Sequence, residues 1–399
     1  MTLFSFPNYV NWNKFDFIVL GAGISGIVLS HVLAQHGKSV LLLEKRNQLG
    51  GNCYDKLDET TGLLFHQYGP HIFHTDNQKV MDFIQPFFEL NNYQHRVGLQ
   101  LDNNLDLTLP FDFSQMRKLL DTKTASSLIN FFQQHFPAEK HLTLMQLQTI
   151  NFAPVQQLYQ FLKIKVYGPY SVKMWGMPLE QIDPSVLGRV KISLSENSSY
   201  FPTATIQGLP KGGYTKAFTK MVDHPLIDLR LNCPANLISV NNNQLLFANQ
   251  PITKPVVYCG LIDQLFGYCF GRLQYRSLHF EWKRYAVKQH QAYPVMNWPL
   301  HPTITRQVEY KQLTQEGLES NQTIVSCETP GAFREGDPRF MEPYYPLNDV
   351  SNNALFARYL KLANAIPNIH LLGRLALYQY IDMDRAIAQS LAKAEQLLQ

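Results

Sequence analysis

The feature that most restricts the fold of this chain is a glycine-rich hexapeptide, Gly21-Ala22-Gly23-Ile24-Ser25-Gly26. It follows the apolar residues 15–20, which predict a buried strand, and it leads into a predicted helix over residues 26–36. Residues 39–43 predict a second strand that ends at Glu44. In such a strand–turn–helix–strand unit, the three glycines bring a dinucleotide pyrophosphate to the N-terminus of the helix. We therefore expect a Rossmann-like domain with a parallel sheet.

Three further features favour FAD over NAD as the bound dinucleotide. Glu44 lies where an acidic side chain accepts hydrogen bonds from ribose hydroxyls. Lys45, Arg46 and the sequence Gly50-Gly51-Asn52 follow it, a continuation that resembles FAD-binding amine oxidases and related flavoproteins. Near the C-terminus, Arg374 follows a probable strand and is placed to neutralise a diphosphate. Because no second glycine fingerprint occurs, we expect no site for NADPH.

Length and composition set broad limits on the remaining structure. The 399 residues predict two or three domains, and 45% hydrophobic with 17% charged residues is ordinary for a soluble globular protein. A net charge of +4 without a long basic run gives no reason to expect a nucleic-acid partner. The five scattered cysteines form no CxxC pair, so we expect reduced thiols in the cytoplasm and no metal site. We expect neither a signal peptide nor a membrane span.

Changes in residue pattern along the chain predict three domains. Val155, Leu158, Tyr159 and Leu162 share one helix face within a leucine- and glutamine-rich region, whereas residues 274–345 are rich in β-prone and aromatic residues. The expected fold class is α/β: a Rossmann-like FAD-binding domain with an inserted helical domain and an antiparallel β-sheet domain. The predicted boundaries are 12–82, 206–264 and 352–399 for the FAD-binding domain, 112–182 for the helical domain, and 83–111, 183–205 and 265–351 for the sheet domain, with a mobile loop near 185–200.

A second motif, Gly69-Pro70-His71-Ile72-Phe73-His74-Thr75, lies between the first two predicted strands and the helical region. It places two histidines three residues apart among glycine and aromatic side chains. We expect these histidines to lie near a flavin ring rather than near its phosphates.

The chain as a whole resembles the UDP-galactopyranose mutase family from about residue 15 to residue 398. The matching motifs occur in the same order as in that family: Gly50-Gly51-Asn52, Gly69 to Thr75, Tyr167-Gly-Pro-Tyr170, Lys173-Met-Trp175-Gly176, Gly208-Leu-Pro210 with Gly213-Tyr-Thr215, Val257 to Asp263, Thr305-Arg306 with Glu309, Glu342 to Pro346, Gly373-Arg374-Leu375 and Tyr378 to Met383. Any one of these motifs could arise by chance, but the ordered set is specific.

The resemblance implies an isomerase that interconverts pyranose and furanose forms of a nucleotide sugar, by default UDP-galactopyranose and UDP-galactofuranose. In this family FAD acts in its reduced form, and its N5 attacks the anomeric carbon and displaces the nucleoside diphosphate. The family also implies an external reductant of the flavin, a homodimer in the cytoplasm and a role in cell-surface polysaccharide biosynthesis.

Site residues follow from the resemblance position by position. Arg189 and Arg306 match arginines that clamp the diphosphate, and Tyr380, Asp382 and His74 complete the expected catalytic set. The expected substrate-binding residues are Tyr170, which stacks on the base, Trp175, Tyr200, Asn297 and Tyr345. The expected FAD-binding residues are Gly21, Gly23, Ile24, Ser25, Gly26, Glu44, Lys45, Gly51, Asn52, His71, Ile72, Arg374, Asp382 and Met383.

The chain departs from the family pattern around the predicted mobile loop. Ser193 stands where the galactose enzymes usually have a second arginine, and Lys191 where they have a proline. Pro202-Thr203 replaces an aspartate or asparagine pair, and residues 329–333 replace a more polar run. We therefore expect the chain to keep the diphosphate clamp. The identity of the sugar is left undecided, and dTDP-fucopyranose and UDP-N-acetylgalactosamine are the alternatives to UDP-galactopyranose.

Two other classes of function share parts of these motifs. An oxidising enzyme of the amine-oxidase type would use only the FAD-binding domain and would consume oxygen. A nucleotide-sugar binding protein without activity would bind flavin and nucleotide but would not turn over. The two arginines and the histidine motif favour the mutase over both alternatives.

Overall fold

The computed structural model describes residues 11–101, 106–182, 191–233 and 237–399. Arg189 and the first part of the predicted mobile loop lie outside the described residues. The strands are β1 (Phe17–Leu20), β2 (Val40–Leu43), β3 (Asp55–Leu57), β4 (Leu64–His66), β5 (Phe73–Thr75), β6 (Val97–Leu99), β7 (Leu107–Leu109), β8 (His141–Leu142), β9 (Ile192–Ser193), β10 (Ile206–Gly208), β11 (Ile227–Arg230), β12 (Ile238–Asn241), β13 (Gln244–Phe247), β14 (Gln250–Pro251), β15 (Val256–Tyr258), β16 (Tyr275–Tyr285), β17 (Val295–Asn297), β18 (Arg306–Glu309), β19 (Thr323–Ala332), β20 (Tyr345–Pro346) and β21 (Ile369–Leu371).

Helices cover both sheets and fill the middle of the chain. They are α1 (Ile24–Gln35), α2 (Gln78–Ile84), α3 (Phe113–Leu119), α4 (Thr122–His135), α5 (Leu144–Thr149), α6 (Ala153–Phe161), α7 (Gly168–Trp175), α8 (Tyr214–Val222), α9 (Ile262–Leu265), α10 (Tyr310–Thr314), α11 (Val350–Asn364), α12 (Gly373–Ala376) and α13 (Met383–Leu398). A π-helical segment, Leu162–Tyr167, joins α6 to α7. Within the described ranges, no helix combines the length and the apolar character needed to cross a membrane.

The Rossmann-like sheet predicted from the glycine motif is present. Its five parallel strands have the order β11-β2-β1-β15-β21. The strands β2 and β15 are buried along their whole length, which explains why the sequence shows continuous apolar runs rather than alternation. Helix α1 begins at Ile24, two residues before the predicted start, because Gly23 already serves as its N-cap.

Gly26 lets α1 lie directly on the turn that precedes it. A Cβ atom at this position would be 1.9 Å from the carbonyl oxygen of Gly21 and 3.3 Å from Cγ1 of Val19. A Cβ on Gly23, in contrast, would make only an ordinary contact of 3.7 Å with the Cα atom of Gly51. The two glycines therefore have different roles: Gly26 is required for packing, and Gly23 leaves space beside the helix N-terminus.

The second sheet has seven strands in the order β20-β16-β19-β18-β17-β6-β7. We expected an antiparallel sheet, and this is correct for every pair except β6 with β17, which is parallel. A parallel pair requires a long crossover connection, and the chain between β7 and β17 contains helices α3 to α9.

The inserted helices and the second sheet share one hydrophobic core. Val155, Leu158 and Tyr159 on α6 are buried in it, as is Leu162 at the start of the π-helical segment. The predicted helix face is therefore confirmed. The π-helical segment was not predicted from the sequence. The division into three domains stays a prediction.

His66, at the end of β4, is buried, and the partly buried His71 follows it in the segment that leads to β5. His66 is 1% exposed, and its ring packs edge-on against Tyr214 of α8 and is tilted against Tyr310 of α10. Its Nδ1 accepts a hydrogen bond from the backbone N–H of His71 at 3.1 Å. Burial lowers the pKa of His66 to about 3, and it lowers the pKa of His71 to about the same value. Both imidazoles are therefore neutral at physiological pH.

Replacing Gly26 by alanine is expected to destabilise the FAD-binding domain by about 1–3 kcal/mol, because the new Cβ forces α1 away from its strand. The measurement is urea unfolding of the FAD-free protein together with flavin content. Gly23→Ala is the matched control. It should keep the stability of the FAD-free protein and reduce only flavin binding; equal destabilisation by both variants would contradict the assignment of roles.

Stability is expected to fall as the pH drops below about 6.5, the value for an unfolded histidine. Below that pH the unfolded chain binds protons that the folded chain, with lowered histidine pKa values, does not bind. Each such histidine costs about 1.4 kcal/mol at one pH unit below 6.5. Urea unfolding at two pH values measures the loss.

His66→Asn should reduce this pH dependence by one histidine, because an amide oxygen can still accept the His71 N–H but does not titrate in this range. His36→Asn, at an exposed histidine, controls for the loss of an imidazole. If H66N kept the full pH dependence, His66 would not be one of the groups responsible.

Candidate active site

A cavity at the carboxyl end of the parallel sheet holds nearly all of the predicted FAD-binding residues. The predicted FAD-binding residues that line it are Gly21, Gly23, Ile24, Ser25, Gly26, Glu44, Lys45, Gly51, Asn52, His71, Arg374, Asp382 and Met383. Ile72 does not line the cavity; its side chain packs against the core of the second sheet. Ile72 precedes β5, where the chain direction turns its side chain towards that core, so a side-chain contact with the cofactor is not supported.

Backbone of the glycine turn and of the Gly50-Gly51 loop forms one wall of this cavity. Gly51 has φ +57°, and a Cβ on it would be 2.9 Å from the Cα atom of Gly23. Glu44 is buried and accepts hydrogen bonds from the N–H groups of Ala22 (2.8 Å) and Arg46 (2.9 Å). These contacts fix the carboxylate at the end of β2, and its oxygens keep lone pairs for ribose hydroxyls.

Arg46 is a cavity residue that the sequence reasoning did not include among the site residues. Its Nη2 donates to Oδ1 of Asn52 (2.9 Å) and to Oε2 of Glu342 (2.6 Å), and its guanidinium lies 4.4 Å from the ring centre of Tyr68. Burial disfavours the charge, but the Glu342 carboxylate more than offsets this and raises the pKa of Arg46. The sequence feature that could have identified Arg46 is its position two residues after Glu44.

The remaining nitrogens of Arg46 indicate which kind of ligand the cavity binds. Nε and Nη1 are buried and have no hydrogen-bond partner among the described residues. Unpaired buried donors are costly, so a ligand with phosphate or hydroxyl oxygens is expected to satisfy them. Together with the backbone wall at Gly23 and Gly51, this donor set fits FAD.

His71 faces the same cavity in a defined tautomer. Its Nδ1 lies 2.8 Å from the carbonyl oxygen of Gly69, which can only accept, so Nδ1 carries the proton and Nε2 is an acceptor. The hydroxyl of Tyr214 donates to the carbonyl oxygen of His71 and fixes its backbone. His71 therefore offers a neutral acceptor to the cavity.

A second cavity of about 880 Å³ adjoins the first, and Ile381 and Asp382 line both. It lies beside helix α7 and the start of α13, and its volume suits a small organic ligand. The predicted catalytic and substrate-binding residues that line it are His74, Tyr170, Trp175, Tyr200, Arg306, Tyr345, Tyr380 and Asp382. Asn297 is buried in β17 as the strand neighbour of Arg306, and it does not line this cavity.

Arg306 is held by a bidentate ion pair. Its Nε and Nη2 donate to the two oxygens of Glu328 at 2.9 and 2.8 Å, across the strand pair β18–β19. Burial disfavours the guanidinium charge, but the Glu328 carboxylate outweighs this and holds the pKa of Arg306 above its usual value. Nη1 is the nitrogen that this pair leaves for a ligand.

Aromatic side chains form a wall beside Arg306. The ring of Tyr345 lies 5.1 Å from that of Tyr380 and 6.2 Å from that of Trp175. Arg374, from the first cavity, lies 5.2 Å from the ring centre of Tyr380. Burial raises the pKa of Tyr345 above its usual range and that of Tyr170 to about 12, so both phenols keep their protons and can donate hydrogen bonds.

His74 belongs to the second cavity and not to the lining of the first. Its ring stacks on Phe201 at 3.8 Å, and Phe201 stacks in turn near His95 at 5.5 Å. Tyr200 contacts His95 edge-on at 4.6 Å. His71 thus lines the first cavity and His74 the second, because alternation along β5 turns His74 away from its buried neighbours Phe73 and Thr75 and towards Phe201. The closeness of either histidine to a flavin ring stays a prediction.

Two basic side chains hold α7, the helix that carries Tyr170 and Trp175. The ammonium of Lys173 donates to backbone carbonyls of residues 298, 299, 301 and 304 at 2.8, 3.2, 2.5 and 2.7 Å. Arg276 of β16 donates from Nε to the carbonyl oxygen of Met174 at 2.7 Å. These contacts tie the helix to the segment that leads into Arg306.

Comparison with known proteins agrees with this geometry. A family profile described as UDP-galactopyranose mutase matches residues 165–380, and a profile described as an NAD(P)-binding Rossmann-like domain matches residues 19–87. The UDP-galactopyranose mutase of Mycoplasma genitalium is 61% identical over 99% of this chain and 98% of its own length. The dTDP-fucopyranose mutase of Escherichia coli is 31% identical over 95% of this chain and 97% of its own length.

A solved structure supports the same fold. A crystal structure of reduced UDP-galactopyranose mutase superimposes with a TM-score of 0.73 at 13% identity, covering 96% of this chain and 94% of that one. On the sequence matches and the two adjoining cavities together, this chain belongs to the UDP-galactopyranose mutase family.

Proposed function

We propose that this chain interconverts UDP-galactopyranose and UDP-galactofuranose with FAD bound in its reduced form. The observation that carries the proposal is the 61% identity, over almost the whole chain, to the UDP-galactopyranose mutase of Mycoplasma genitalium. The adjoining cavities support it, because Asp382 lines both and so lies where a cofactor and a substrate would meet.

When bound, reduced FAD supplies the electron pair that attacks the anomeric carbon of the sugar. The residues of the chain hold the cofactor and the sugar in position for this attack, so the two do not have to meet in the correct orientation by chance. Arg46, Glu44 and the glycine turn hold the cofactor from one side. The neutral Nε2 of His71 offers an acceptor for a proton on the cofactor.

The diphosphate leaves the sugar and must stay bound until the ring has closed again. Arg306 can donate to it through Nη1 while Glu328 keeps the guanidinium in place. Tyr345 and Tyr380 lie beside Arg306 in the same cavity, and a phenol that stays protonated donates a hydrogen bond to a phosphate oxygen. These donors stabilise the leaving group without transferring a proton to it.

The base and sugar are assigned to the aromatic wall and the Phe201 side of the cavity. Tyr170 and Trp175 on α7 offer ring faces for a pyrimidine. Phe201, Pro202 and Thr203 also line the cavity and bring few polar groups to it. The proposal further includes Arg189 as a second diphosphate ligand and Asn297 as a residue that positions Arg306 through β17.

A second nucleotide sugar is favoured by one observation. Pro202 and Thr203 line the cavity where a more polar pair was expected, and the Escherichia coli relative acts by name on dTDP-fucopyranose. A sugar with one hydroxyl fewer buries fewer polar groups without a hydrogen-bond partner in such a pocket.

We also propose a cytoplasmic homodimer that receives electrons from an external reductant.

The test is incubation of the dithionite-reduced, FAD-loaded enzyme with UDP-galactofuranose, dTDP-fucofuranose and UDP-N-acetylgalactosamine, followed by chromatography of the products. We expect the largest kcat/KM with UDP-galactofuranose. Faster conversion of the dTDP sugar would assign the chain to the second substrate. No conversion of any of the three, with flavin bound and reduced, would exclude the mutase function, and oxygen consumption with an amine would favour an oxidase.

Replacing Arg306 by lysine is expected to lower kcat/KM by roughly 100-fold, because an ammonium still neutralises Glu328 but loses the planar bidentate contact and the remaining donor. Flavin content should not change, since Arg306 does not line the FAD cavity. Arg284→Lys is a matched control at an arginine that pairs with Asp58 outside both cavities. Normal turnover of R306K would show that Arg306 does not bind the diphosphate.

A further inference from the structure

Of the two arginines assigned to the diphosphate, Arg306 lies among the described residues and Arg189 lies outside them. A nucleoside diphosphate brings more than one negative charge, whereas the positive charge of Arg306 is already neutralised by Glu328 at 2.8 Å. A further cation among the described residues of the cavity favours the binding of such an anion.

Arg385 is such a cation. It lies on the first turn of α13, three residues after Asp382, and lines the second cavity. Its side chain is exposed, and no described carboxylate lies within ion-pair distance of it. Lys191 also lines the cavity but adjoins the part of the chain outside the described residues, whereas Arg385 lies on helix α13.

The same face of α13 carries a second sign of a ligand. Gln389, four residues after Arg385, lines the cavity, and its Oε1 is buried without a hydrogen-bond partner among the described residues. Its Nε2 reaches Gln379 at 3.5 Å. Residues four apart share a helix face, so a cation and an unpaired acceptor lie side by side. A ligand with a phosphate next to a hydroxyl would satisfy both.

We propose that Arg385 binds the diphosphate of the nucleotide-sugar substrate and that Gln389 accepts a hydrogen bond from a neighbouring hydroxyl. This inference rests on the proposed function for the identity of the ligand. It assigns the start of α13 a role in holding the leaving group as well as in lining the FAD cavity. Arg385 and Arg306 then approach the diphosphate from two different elements, α13 and β18.

The test compares Arg385→Gln with Lys393→Gln, which removes the same charge from the same helix at a position outside both cavities. In the FAD-loaded protein we expect R385Q to weaken UDP binding by roughly tenfold. Its affinity for uridine, which has no phosphate, and its flavin content should match the wild type. K393Q should bind UDP normally. Equilibrium dialysis measures both ligands.

Three results would overturn the inference: unchanged UDP affinity in R385Q, an equal loss of UDP and uridine affinity, or the same loss in K393Q. Arg385→Lys should retain part of the UDP affinity, which a purely structural role of the side chain would not predict. Because UDP binding is measured without turnover, failure of the two proposals can be told apart. A wild-type enzyme that converts no nucleotide sugar yet depends on Arg385 for UDP refutes the function and not the site.

Discussion

The buried ion pair between Arg306 and Glu328 is the interaction on which the second cavity depends. The two residues are direct neighbours across β18 and β19, so the sheet itself sets the geometry of the pair. A guanidinium at this depth needs a partner, and the carboxylate holds its charge while occupying two of its three nitrogens. The orientation of the remaining nitrogen, and with it the place of a phosphate, follows from strand register rather than from a flexible side chain.

Other parts of the site are attached to this sheet by basic side chains that bind backbone carbonyls. Lys173 binds the segment that leads into β18, and Arg276 binds the end of α7. The helix that offers Tyr170 and Trp175 is thus linked to the strand that offers Arg306. On the other side, Asp382 connects the FAD cavity to the second cavity at the start of α13. A rigid frame of this kind suits a reaction in which a leaving group must return to the same carbon.

Residues with a steric or local role are the ones that the sequence predicts best. The glycine turn, the strand ends at Glu44 and the helix face of α6 are encoded by neighbours in the chain, and each was predicted. Residues whose role depends on contacts with distant parts of the chain are predicted less well. The side of β5 to which His74 points, the burial of Asn297 and the inward face of Ile72 all follow from packing between elements. Arg46 belongs to a motif that the sequence shows, but only its unpaired nitrogens in the cavity indicate that it binds a ligand.

The sequence by itself determined the Rossmann-like domain, the FAD-type motif and the order of the family motifs, because short-range sterics and ordered similarity suffice for these. Only the tertiary structure decided how the charges are distributed. The pairing of Arg306 with Glu328 neutralises one positive charge of the second cavity, and α13 supplies Arg385 in the same cavity. Charge balance at a site is a property of groups brought together from distant parts of the chain, so no local pattern in the sequence records it.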